Sequence, residues 1–155
     1  MTLAVIEVKS KVTSTVLNSA VSKLAAIGVH LGRHRDHCCL GLFAYETDVH
    51  SHERILDILE KNCRDRQQIV NLMTLGCSIF TRYWEYSPFC DHDYYDHWHS
   101  YNLDHMSAGY FITNILDFVS PDSIDKFSSL WFPDKHQNKE FQVEGKRAHT
   151  TALVR

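Results

Sequence analysis

Between Ile69 and Phe80 the chain reads Ile-Val-Asn-Leu-Met-Thr-Leu-Gly-Cys-Ser-Ile-Phe, and eight of these twelve residues are apolar. No polar face survives at any helical or strand period, so the segment must be surrounded by other elements. Whatever the fold, it lies near the middle. Taken with its flanks, residues 65–82 predict a central buried helix. Its end has a second reading, an aromatic-rich strand over Ser78 to Tyr86, and Ser87-Pro88 closes the segment either way.

The neighbouring patterns supply what packs around it. Leu3 to Val8 is a short β-prone run. Val16, Leu17, Ala20, Val21, Leu24 and Ala25 recur at helical spacing behind Thr13 or Ser14 as the N-cap, and Gly28 stands where a C-terminal cap belongs, giving a helix over 14–27. Cys38 to Tyr45 is continuously apolar and fits a buried strand. Ser51 caps a helix carrying Ile55, Leu56, Ile58 and Leu59. Leu103 to Val119 predicts another helix, and Ser120-Pro121 opens a last one ending at Pro133. Phe141 to Val143 and Ala148 to Val154 flank a turn and suit a hairpin. The expectation is one globular α+β domain over 1–155. It is mostly helical, with about five helices around 65–82 and a small strand set from 3–8, 38–45 and 141–154.

Composition narrows the function classes. The chain has 155 residues and a formal charge of −3, which disfavours nucleic acid as the main partner. No apolar run approaches the roughly 18–20 residues that span a bilayer, so no membrane role is expected. Five cysteines, an odd number, argue against a disulfide framework. They point to a cytoplasmic or other reducing intracellular compartment. No glycine-rich phosphate loop follows a strand. Residues 83–134 hold nine acids and one base, Lys126, so the middle of the chain attracts cations, whether a metal or a basic protein surface.

Histidine is the unusual residue. Of eleven in the chain, His92, His97, His99 and His105 fall within 14 residues, interleaved with Cys90, Asp93, Asp96 and Asp104. Imidazole and thiolate suit zinc, and carboxylates orient imidazoles from behind. His97-x-His99 places two rings on one side of an extended segment. His105 would close a three-ligand set, Cys90 or His92 would be a fourth ligand, and Asp93, Asp96 and Asp104 would stand behind them. Neither paired Cys-x-x-Cys nor His-Glu-x-x-His is present. The plain alternative is a loop whose aromatics anchor it to the core.

A second concentration, Arg33-His34-Arg35-Asp36-His37-Cys38-Cys39, offers arginines for a phosphate or carboxylate and a Cys–His pair for nucleophilic chemistry. The same cysteines also open an apolar run, which favours the core.

The expected function is a small intracellular interaction or regulatory protein. Its acidic, aromatic- and His-rich segment 83–105 would bind a protein partner through Tyr83, Trp84, Tyr94, Tyr95 and Trp98, in a form that zinc can order. The alternative is a zinc-type hydrolase with His97, His99 and His105 as ligands.

Overall fold

The computed structural model describes residues 3–86, 94–119 and 142–147. Its elements in chain order are strand β1 (Leu3–Val12), helix α1 (Ser14–Leu31), strand β2 (Cys38–Thr47), helix α2 (His52–Asn62), strands β3 (Leu72–Leu75), β4 (Ile79–Tyr86) and β5 (Tyr94–Asn102), helix α3 (Ser107–Val119) and strand β6 (Gln142–Arg147). Short 3-10 turns at Gly32–His37 and Arg66–Gln68 precede β2 and β3. The six strands form one sheet in the order β1-β2-β3-β4-β5-β6. β1, β2 and β3 are parallel to one another, and each later neighbour is antiparallel.

This overturns the mostly helical expectation. Three α-helices are present among the described residues, not five, and the sheet is the centre of the molecule. The predicted central helix 65–82 is instead a 3-10 turn followed by the hairpin β3–β4. The physical reason is that β3 is covered on both faces. Leu72 packs in the core beneath α3, while Met73 and Leu75 pack beneath α1 and α2. A strand buried on both sides is apolar in nearly every position, which is also what a buried helix looks like. Gly76, at φ 66°, makes the turn between Leu75 and Ile79. The predicted helix after Ser120 lies outside the described residues. So does most of the expected 141–154 hairpin, of which β6 is the described part.

Both parallel crossovers place their helices on one face of the sheet, as two connections of the same hand do. α1 buries Leu17, Ala20, Val21, Leu24 and Ala25 there, and α2 buries Ile55, Leu56, Ile58 and Leu59. Thr13 caps α1 through Val16 N, and Ser51 caps α2 through Arg54 N. Gly28 does not end α1; Gly32 does. On this side Trp98 of β5 is fully buried and donates its indole N–H to Val70 O at 2.8 Å. α3 covers the other face through Phe111, which meets Phe43 edge-on at 5.4 Å. No described helix is long and apolar enough to cross a membrane.

Candidate functional site

On the α3 side of the sheet, the pleat lines up Phe80, Arg82 and Trp84 along β4. The register sets them opposite Tyr101, His99 and His97 of β5. Phe80 and Tyr101 stack at 6.1 Å, and Trp84 donates its indole N–H to the Tyr101 hydroxyl at 3.1 Å. The Arg82 guanidinium lies 3.9 Å from the Trp84 ring centroid, a cation–π geometry. It also donates to Asn114 Oδ1 of α3. Burial pulls its pKa down to about 10, opposed chiefly by the Asp117 carboxylate, so the guanidinium stays charged at neutral pH.

Arg82 borders a cavity of about 520 Å³. The cavity opens where α3 ends, beside the starts of β2 and β3; Arg35, Arg66, Asn71, Trp84, Asn114 and Asp117 contribute its polar and aromatic wall. Arg35 is a framework group. It is 6% exposed and donates to the carbonyls of Gln67, Cys38 and Ile69 and to Asn71 Oδ1. Asn71 Oδ1 also accepts from Leu40 N, so its Nδ2 is the end left to donate into the cavity. Burial lowers the Arg35 pKa. Three guanidiniums therefore face two carboxylates, Asp36 and Asp117, around this cavity. The pairing between Arg66 and Asp36 is loose, at 3.8 Å, with both side chains mostly exposed. The cavity suits an anion.

The sequence-predicted ligands are dispersed differently. His97 and His99 share one face of β5, with ring centroids 6.1 Å apart. His99 is 3% exposed, and burial, with His97 beside it, pushes its pKa down to about 4. His105 sits beyond the other end of β5, at φ 70°, exposed next to Asp104 at 3.7 Å. Among the described residues, no three His, Cys, Asp or Glu side chains gather where a metal ion would fit. Cys90, His92 and Asp93 lie outside the described residues; Tyr94, Tyr95 and Asp96 lie at the start of β5. Of the expected partner-binding aromatics, Trp98 and Tyr83 are core residues, 5.2 Å apart by ring centroid, and Trp84 lines the cavity.

Cys38 and Cys39 are buried in β2, and burial raises both thiols, Cys39 to about 12. A nucleophilic thiol needs the opposite shift. Arg82 and Asn114 escape the sequence reading. The signal that could have found them is one arginine inside the aromatic run Phe80-Thr-Arg-Tyr-Trp84, which a buried strand tolerates only with partners. No known family model matches the chain, and a search of curated proteins returns no match to it.

Proposed function

We propose that the chain is an interaction module that receives an acidic side chain of a protein partner in the Arg82 cavity. The observation that carries this is the Arg82 guanidinium, stacked on Trp84 at the wall of a cavity richer in guanidiniums than in carboxylates. A preoriented arginine binds carboxylate or phosphate through charge-assisted hydrogen bonds, and its planar fork has lost much of its freedom before the ligand arrives. The Asn71 amide adds a neutral donor. About 520 Å³ accommodates one or two side chains. Among the described residues of the 83–105 segment, Tyr83 and Trp84 border the cavity.

The test is calorimetric titration with a short glutamate-containing peptide, its glutamine counterpart and inorganic phosphate. The glutamate peptide and phosphate should bind and the glutamine peptide should not. Arg82→Met should weaken binding about tenfold or more, the scale of a lost charge-assisted contact. Arg82→Lys should recover only part of it, because the fork is lost. Equal binding of both peptides, or an Arg82→Met variant that binds normally while folded, sinks the reading. The zinc-hydrolase alternative has two of its ligands together on β5 and the third at the far end of that strand, so the geometry favours the cavity.

A further inference from the structure

β1 is the edge of the sheet. Among the described residues it pairs with β2 alone, over Leu3 to Val12, leaving the outer row of backbone groups of a ten-residue strand open. Edge strands are commonly guarded by charged side chains, lysine above all, which oppose an incoming strand. The charges here are of both signs. Glu7, Lys9 and Lys11 follow one another on the same side of the strand, with Lys9 Nζ 2.7 Å from Glu7 Oε1 and Lys11 Nζ 2.9 Å from Asp48 Oδ1. On the opposite side Val8 is 56% exposed, and that side of the molecule also carries Ile112 and Leu116 of α3, about half exposed.

We propose that β1 pairs antiparallel with β1 of a second copy of this chain, about a two-fold axis through Val8. The charge order selects the register. A two-fold through Glu7 would set Glu7 against Glu7, and one through Lys9 would set Lys9 against Lys9; like charges directly opposite are unfavourable. A two-fold through Ile6 places Val5 opposite Glu7 and makes no ion pair. A two-fold through Val8 sets Glu7 of each copy opposite Lys9 of the other, twice, and puts the two exposed Val8 side chains together. Lys11 then stands opposite Val5 and keeps Asp48. The interface is isologous, as a two-fold requires. The six-stranded sheet becomes a continuous twelve-stranded one.

Light scattering across a concentration series on the whole chain reads the assembly, and two substitution sets read the register. Glu7→Lys should weaken dimerisation about tenfold or more, since each cross-strand attraction becomes a repulsion. The swapped double variant Glu7→Lys/Lys9→Glu should restore the dimer, because the two-fold pairing is symmetric to the exchange. In a Cys77→Ser/Cys90→Ser background, Val8→Cys should form an intermolecular disulfide on mild oxidation, because residues opposite each other in an antiparallel pair have Cα atoms within disulfide range. Ser10→Cys, opposite Ile6, should not. A chain that stays monomeric at its highest soluble concentration overturns the proposal. So does a dimer that Glu7→Lys leaves intact, or one in which Ser10→Cys cross-links as well as Val8→Cys. Loss of anion binding by Arg82→Met leaves this result unaffected, so the two readings fail separately.

Discussion

His99 is a neutral imidazole held in the interior, stacked on Tyr101 at 6.2 Å and pushed to a pKa of about 4. The unfolded chain binds its proton near the ordinary value of 6.5. Between those values the unfolded state holds more protons, so stability is complete above about pH 6.5 and declines as the pH falls toward 4. The full decline should be roughly 3 kcal/mol, since each tenfold change in proton affinity between the two states is worth about 1.4 kcal/mol. Urea midpoints measured across this window should show the slope in the parent and lose most of it in His99→Gln. The cysteines divide as clearly. Cys63 is buried, with its thiol raised to about 12, as Cys39 is; Cys77 is exposed. Brief maleimide labelling of the native protein should modify Cys77 and spare Cys38, Cys39 and Cys63 until denaturant is added. Mass mapping of the labelled peptides checks this. These environments depend on which strand lies against which, so spacing alone shows a histidine pair or a cysteine pair but not whether water reaches it.

Two glycines in helices separate backbone crowding from backbone freedom. A Cβ on Gly28 would stand 1.9 Å from Gln67 O, because α1 lies directly against the 3-10 turn before β3. Gly109, in α3, has open space around it. Gly28→Ala should cost about 1–3 kcal/mol or more through overpacking. Gly109→Ala should stabilise by about 0.5–1 kcal/mol through helix propensity. Thermal or urea unfolding of the two variants should move in opposite directions. The same elements show what the sequence carries openly. α1 and α2 are legible because each has a one-sided apolar stripe and a hydroxyl cap, Thr13 and Ser51. Gly28 misleads because a glycine needed for close approach looks like a glycine needed to end a helix. β3 is illegible for the opposite reason, since burial on both faces erases periodicity, whereas β4 is the aromatic-rich strand that Ser78 to Tyr86 offered as the second reading. The mark of the hairpin is Gly76, the one residue in Leu72 to Phe80 suited to a positive φ turn.

At the scale of the whole molecule, the sheet divides the interior into two cores, one beneath α1 and α2 and one beneath α3. The cavity at the end of α3 belongs to the second. Pairing about Val8 uses the outer edge of β1, and no residue of β1 lines the cavity, so the two should not compete. If the paired form is the native one, the melting temperature should rise with protein concentration, and Glu7→Lys should remove that dependence. A differential scanning fluorimetry series checks this. The strand order has a consequence for how such a chain is made. Every strand lies next to the one before it in sequence, so a chain emerging from the ribosome N-terminus first adds each new strand to an existing rim. No strand has to be threaded between two already joined. Among the described strands β1 is therefore the rim that stays in place while the others are added, and nascent chains on neighbouring ribosomes expose the same self-complementary strand before β6 is made.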